Sequence, residues 1–274
     1  MKALVLAAGL GTRLKPLTDK VPKPLIPVLG VEPLFWTLSW LNEKGVVDII
    51  VNAHHLPDQI TEAIERFKKL LPRLNISISY EKEKILGSGG GVLKVLHEER
   101  NWEGGLLVLN ADTLSRIEPS VFQSSTSGFA ISMKEKFLEK YSALYVDDNL
   151  SWMPNASPNM PINNKLKRCH FLGMHFLCEN DIALVKKKKY SNQEIGLFDG
   201  IYKVLFDAAR APQGYDVAGI ENGFWFDLNK IEYFRNAEVA IQKRYEDVLT
   251  RLLKERHPEK DREEALRFWP AELS

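Results

Sequence analysis

At 274 residues, 45% hydrophobic and 27% charged, the chain is long enough to bury a core and too apolar for intrinsic disorder. Lys plus Arg comes to 37 against 36 Asp plus Glu, a formal charge of +1, so no general field draws nucleic acid or an anionic membrane. The 2 cysteines, Cys169 and Cys178, exclude a disulfide framework and lack metal-ligand spacing, which predicts buried reduced thiols in a cytoplasmic protein. The apolar run Ala3 to Ala8 is too short for a signal peptide, and no stretch approaches the roughly 18 to 20 apolar residues of a membrane span.

In chain order, Lys2–Ala7 reads as a buried strand, and Pro33–Lys44 as a helix with Leu34, Leu38 and Leu41 on one side. Val47–Asn52 is a second strand, Asp58–Leu71 a helix with Ile60, Ile64 and Phe67 facing inward, and Ile76–Tyr80 a third strand. Gly89–His97 follows as a helix and Leu106–Leu109 as a fourth strand. This alternation predicts right-handed crossovers and an α/β fold, a Rossmann-like mixed but mainly parallel sheet flanked by helices. Ligands of such sheets lie beyond the carboxyl ends of the strands, which places the loops after Ala7, Tyr80 and Leu109 on one crevice.

The second half predicts strands at Phe129–Met133, Ala143–Val146 and Lys167–Phe176, with a hairpin-type turn over Val146–Leu150. Helices are expected at Asp181–Lys188 and Gly196–Ala209, and short strands at Tyr215–Ala218 and Gly223–Phe226, the latter ending at Asp227. Ile231–Glu255 carries one long helical period, and a last amphipathic stretch closes the chain. No repeat occurs. The pattern divides the chain into a main domain over residues 1–234 and a helical C-terminal tail, residues 235–274, packed on it.

The densest chemistry follows the first strand, from Ala8-Gly9-Leu-Gly11-Thr12-Arg13 to Lys15 and on to Pro22-Lys23-Pro24. Leu14 stands where a dinucleotide fingerprint needs a third glycine, and no Gly-Lys-Ser/Thr completes a Walker A loop. What remains is a glycine turn whose backbone N–H groups can approach a polyphosphate, with Arg13 to offset its charge. Lys23, stiffened by a proline on each side, can meet a second phosphate.

Gly9-Leu-Gly11-Thr12-Arg13 followed by Pro22-Lys23-Pro24-Leu25 resembles the signature loop of the sugar-phosphate nucleotidyltransferases. The resemblance runs from about Met1 to Phe234. It takes in Asn52 at the end of the second strand, Leu86-Gly87-Ser88-Gly89-Gly90-Gly91, Asn110-Ala111-Asp112, Tyr141-Ser142, and Trp225-Phe226-Asp227. The short length and the triple glycine are most similar to the small N-acetylmuramate-1-phosphate uridylyltransferase type.

The resemblance implies transfer of a nucleoside monophosphate from a nucleoside triphosphate to a sugar 1-phosphate, releasing pyrophosphate. UTP with N-acetylmuramate 1-phosphate or a related hexose 1-phosphate is favoured. It implies that Ala8, Gly9, Gly11, Thr12, Arg13, Gly89 and Asn110 bind the nucleotide, with Glu81 or Glu83 as further candidates near the base. Lys23, Asn110 and Ser142 would bind the sugar phosphate, and Arg13 and Lys23 would be catalytic. Asp112 and Asp227 would hold Mg²⁺, the cofactor; a monomer or small homo-oligomer is expected. Bringing two anions together makes catalysis mainly a matter of positioning and charge neutralisation.

Two residues depart from the family pattern: Ala111 and Ser142 each stand where glycine is usual. The family's acidic sugar contact before the Lys167–Phe176 strand has no counterpart, and Lys165, Lys167 or Arg168 would replace it. His54 and His55 read as structural, and Lys186–Lys189 as a helix C-terminus that complements the macrodipole. Trp152 and Trp225 read as core or sugar-stacking groups, or as a cage for a quaternary amine in a phosphocholine cytidylyltransferase-like enzyme. A catalytically silent nucleotide-sugar-binding subunit is the alternative outside catalysis. A metal-dependent glycosyltransferase would need an Asp-x-Asp, and Asn110-Ala111-Asp112 falls short of it.

Overall fold

Apolar residues recurring at strand and helix periods must bury one face, and in the first half of the chain they do so where the pattern places them. The computed structural model describes residues 1–99, 102–122, 125–134, 143–154, 156, 166–188, 193–217 and 224–268. In chain order the elements are β1 (Lys2–Leu6), α1 (Leu17–Lys20), α2 (Pro33–Glu43), β2 (Asp48–Ala53), α3 (Pro57–Leu70), β3 (Asn75–Tyr80), α4 (Gly87–Glu98) and β4 (Leu106–Asn110). There follow β5 (Thr113–Ser115), β6 (Gly128–Ser132), β7 (Leu144–Val146), β8 (Lys167–Leu177), α5 (Glu179–Val185), α6 (Lys203–Asp207), β9 (Gln213–Asp216) and β10 (Trp225–Asp227). The last helices are α7 (Ile231–Arg244), α8 (Glu246–Arg256) and α9 (Arg262–Leu266). Eight strands form a mixed sheet, and β5 pairs with β10 apart from it.

The contacts divide the chain into two compact units. One comprises Val5–Ile85, Asn110–Arg116 and Phe224–Ser274. Its strands run β3-β2-β1, with β2 and β3 parallel in register from Asp48↔Asn75 to Ala53↔Tyr80. Leu34, Leu38 and Leu41 of α2 and Ile60, Ile64 and Phe67 of α3 are buried, as the 3.6-residue period requires. Every residue of α2 from Pro33 to Leu41 is in fact buried, because β5 and α8 pack against this helix as well. Arg256 at the end of α8 makes a bidentate ion pair with Glu32, at 2.8 and 2.7 Å, over the rings of Phe35, Phe67 and Phe268.

The other unit comprises Met1–Leu4, Leu86–Leu109 and Ile117–Gly223. Its strands run β1-β4-β8-β6-β9, with β7 on β8. β8 is antiparallel to β4, β6 and β7, and β6 is parallel to β9, so the antiparallel pairings of the mixed sheet centre on the 11-residue β8. Asp147–Leu150 turns the chain, with Val146 bridging Trp152 across it. Trp152 is buried against Phe198, Tyr202 and Phe206. Cys169 and Cys178 are free and buried, and burial followed by the nearby Asp216 carboxylate pushes the Cys169 thiol up to about 12.

Three expectations change. The strand β5 was not foreseen. The period over Ile231–Glu255 breaks at Tyr245, whose ring docks on Phe224 at 4.9 Å, giving two helices instead of one. The helix expected over Gly196–Ala209 is a π turn, Phe198–Tyr202, running into α6. No helix among the described residues is long and apolar enough to cross a membrane.

Candidate active site

The glycine turn leaves β1 along a path set by hydrogen bonds from its neighbours. Asn52, at the end of β2, accepts the Ala7 N–H at 2.6 Å and the Ala8 N–H at 3.3 Å through Oδ1, while its Nδ2 donates to Glu81 Oε1 at 2.7 Å. Asn52 and Glu81 are each 3% exposed, so this buried link fixes the direction in which the chain enters the turn. Gly11 has φ 61° and its carbonyl accepts the Leu14 N–H at 2.8 Å and the Thr18 hydroxyl at 3.0 Å. A Cβ there would lie 2.7 Å from Thr18 Cγ2 and 3.2 Å from Lys23 Cβ, so both conformation and space demand glycine. Gly9, Thr12 and Arg13 are exposed, and a Cβ at Gly9 would meet nothing within 4 Å.

Lys23 opens a short 3₁₀ turn, Lys23–Leu25, and is only 7% exposed. A buried ammonium is costly unless paired. Its Nζ donates to Asp112 Oδ2 at 2.7 Å and to Asn229 Oδ1 at 2.8 Å.

The acids meet through β5 and β10. These strands pair antiparallel with Trp225↔Ser115, Phe226↔Leu114 and Asp227↔Thr113. Asp112 directly precedes Thr113, so Asp112 and Asp227 lie at the same end of the ribbon. The Leu228 N–H donates to Asp112 O at 3.0 Å, and the Asn229 N–H donates to Asp227 Oδ1 at 3.1 Å. The Ala111 N–H donates to Leu6 O at 3.1 Å, which ties this end to the root of the glycine turn. A cavity of about 150 Å³ is lined by Gly9, Gly11, Thr12, Arg13, Lys23, Asp112 and Asn229, among others.

Of the residues singled out in sequence, Gly9, Gly11, Thr12, Arg13, Lys23 and Asp112 therefore share one cavity, and Asp227 pairs with Thr113, the residue after Asp112. Ala8 turns its N–H to Asn52, and Asn110 ends β4 two residues before Asp112. Gly89 lies in α4, where its N–H donates to Ile195 O at 3.0 Å. Ser142, Tyr141 and Lys165 lie outside the described residues. His54 and His55 place ring nitrogens at the main-chain carbonyls of Glu81 and Thr18. Asn229 and Thr18 were missed: neither belongs to a spacing pattern, and only the folded contacts reveal them.

Asp112 and Asp227 offer hard carboxylate oxygens, and the Lys23 ammonium on Asp112 shows that this carboxylate takes a cation. No group of three or more His, Cys, Asp or Glu side chains among the described residues could hold a metal. Two carboxylates without a full protein cage suit an ion that is completed by substrate phosphates and water, as Mg²⁺ commonly is.

Residues 2–128 match the nucleotidyl transferase family model. The chain is 28% identical to the N-acetylmuramate alpha-1-phosphate uridylyltransferase of Neisseria meningitidis serogroup B, over 87% of this chain and 97% of that protein. It is 28% identical to a probable mannose-1-phosphate guanylyltransferase of Oryza sativa subsp. japonica over 84% of this chain, but spans only 62% of that protein. It is 30% identical to the D-glycero-alpha-D-manno-heptose 1-phosphate guanylyltransferase of Campylobacter jejuni, over 54% of this chain and 64% of that one. Among solved structures, UDP-glucose pyrophosphorylase complexed with UDP-glucose shares the fold, with a TM-score of 0.65, 20% identity and coverage of 88% of this chain and 98% of that chain. Residues 2–128 thus form a nucleotidyl transferase domain, and along most of its length the chain is similar to sugar-1-phosphate nucleotidyltransferases.

Proposed function

We propose that the chain joins a nucleoside monophosphate from a nucleoside triphosphate to a sugar 1-phosphate and releases pyrophosphate, with Mg²⁺ as cofactor. One observation carries this reading: a buried lysine, an exposed arginine, a glycine turn and a carboxylate line a single small cavity, with a second carboxylate on the strand paired next to it. UTP and N-acetylmuramate 1-phosphate or a related hexose 1-phosphate are the favoured substrates, supported by the near full-length match to the Neisseria relative. Residues 1–234 carry the chemistry, residues 235–274 support it, and the reaction takes place in the cytoplasm.

A sugar-phosphate oxygen attacks the α-phosphorus as the bond to the pyrophosphate oxygen breaks. The open backbone at Gly9, Gly11 and Thr12 accommodates the triphosphate, and Arg13 neutralises charge that builds on the departing phosphates. Lys23 holds the sugar phosphate, and Asn110, which ends β4 two residues before Asp112, is assigned to both substrates from its place in the family motif. Asp112 and Asp227 would hold Mg²⁺, which when bound screens the repulsion between the two anions and polarises the α-phosphate. Gly89 joins the nucleoside contacts only if its N–H leaves Ile195 O, and Ser142 is assigned to the sugar from its place in the family motif.

The test is pyrophosphate release over a grid of nucleoside triphosphates and sugar 1-phosphates with Mg²⁺. Release is expected with a uridine pair, and no release from any pair sinks the reading. Asp112→Asn and Lys23→Ala should each cut turnover by about a hundredfold or more, the usual worth of a group that stabilises transition-state charge, with circular dichroism unchanged. Wild-type turnover in either variant removes that residue from the site.

A further inference from the structure

Lys23 holds two acceptors at once, and they differ in kind. Asp112 is charged, and a cation held by its carboxylate would compete with the lysine seated on it at 2.7 Å. Asn229, at 2.8 Å, is neutral. Its carbonyl oxygen can keep one Nζ hydrogen while the other two turn to a phosphate. Asn229 is itself anchored: its N–H donates to Asp227 Oδ1 at 3.1 Å, and the Leu228 N–H before it donates to Asp112 O at 3.0 Å. It lines the same cavity as Gly11, Arg13 and Lys23.

We propose that Asn229 is a positioning residue for the sugar-phosphate half of the reaction. It retains the Lys23 ammonium through an uncharged acceptor and keeps it aimed into the cavity once Asp112 is engaged elsewhere. The proposal rests on the nucleotidyltransferase reading above. A carboxylate at position 229 would also hold the ammonium, but would add negative charge where two anions have to meet. An apolar residue there would leave Asp112 as the remaining anchor of this pair, and the lysine would stay on it instead of meeting the phosphate.

Steady-state kinetics with the sugar 1-phosphate and the nucleoside triphosphate varied separately compare the wild type with Asn229→Ala and Asn229→Asp. In Asn229→Ala the KM for the sugar 1-phosphate rises about tenfold, the worth of one hydrogen bond to a charged group, while the KM for the triphosphate stays within about twofold. Asn229→Asp also raises the sugar-phosphate KM, and added salt narrows its deficit but not that of Asn229→Ala, because only the former is a repulsion between charges. Equal changes in both KM values, or none, overturn the proposal. A wild type that turns over no substrate pair overturns the reaction instead. Calorimetric titration with inorganic phosphate in the presence of Mg²⁺ then judges the lysine seat without turnover: binding about tenfold weaker in Asn229→Ala supports it, and unchanged binding overturns it.

Discussion

Asp112 and Lys23 lie 89 positions apart in the chain and share a 2.7 Å hydrogen bond. A lysine flanked by two prolines is legible in the sequence because each proline narrows the backbone on its own side. Its partner Asn229 is not, since an asparagine in Asp-Leu-Asn-Lys has no periodic or turn context that marks it for a ligand. The same holds for Asn52, whose place at a strand end was visible but whose grip on the Ala7 and Ala8 N–H groups is purely tertiary. His175 is a second residue that only the fold explains. It is 1% exposed, neither ring nitrogen has a hydrogen-bond partner among the described residues, and burial pushes its pKa down from 6.5 to about 3. The unfolded chain takes up a proton near pH 6.5 that the folded one refuses until about pH 3, so stability present above that window is lost as the pH falls through it. Urea midpoints at pH 7 and pH 5 should separate for the wild type and converge for His175→Leu; an unchanged separation would show that another group sets the slope.

At the scale of elements, the strands and helices before β5 other than the one-turn α1 follow the hydrophobic period to within a few residues, because each buries one face against a neighbour. β5 escaped because three residues are too few to carry a period, and its conformation comes from pairing with β10. That short ribbon brings the two acids to the same end. Leu114, 1% exposed and opposite Phe226, is its buried anchor. Leu114→Asp would place an unpaired charge in that position, costing several kcal/mol and separating the acids. The expected result is a lower melting temperature with loss of turnover, whereas the nearby surface change Lys230→Gln should leave both intact. Tyr245 teaches the converse lesson. Ile231–Glu255 is helical by period, yet the ring docked on Phe224 and Phe226 draws the backbone to φ −135° and splits the helix. Local propensity is the weaker force there.

For the whole molecule, strand–helix alternation revealed the α/β class, but composition could not reveal that β8 would turn the sheet antiparallel around itself. Nor could it show that the last helices complete the unit containing the glycine turn. Their bond to it is chemical as well as apolar. Glu32 and Arg256 are both buried, so removing one strands the other's charge: Glu32→Leu or Arg256→Met alone should cost roughly 3 to 5 kcal/mol. Glu32→Leu combined with Arg256→Met should recover most of that, and denaturation of the four proteins forms a double-mutant cycle. Additive losses would show that the pair does not act as one.

Gly30 stands at φ +77° with the space of its missing side chain filled by the carbonyl oxygen of Ala265, 1.9 Å from where a Cβ would be. His257 also places a ring nitrogen 2.8 Å from Gly30 O. Early and late residues thus close on each other, which orders events during translation. A nascent chain whose region around Ala265 is still inside the exit tunnel has nothing to clasp the hairpin at Val28–Val31, although it was synthesised first. Released truncated chains ending before Arg256 should be cut by protease near that hairpin, and released chains extending past Phe268 should resist.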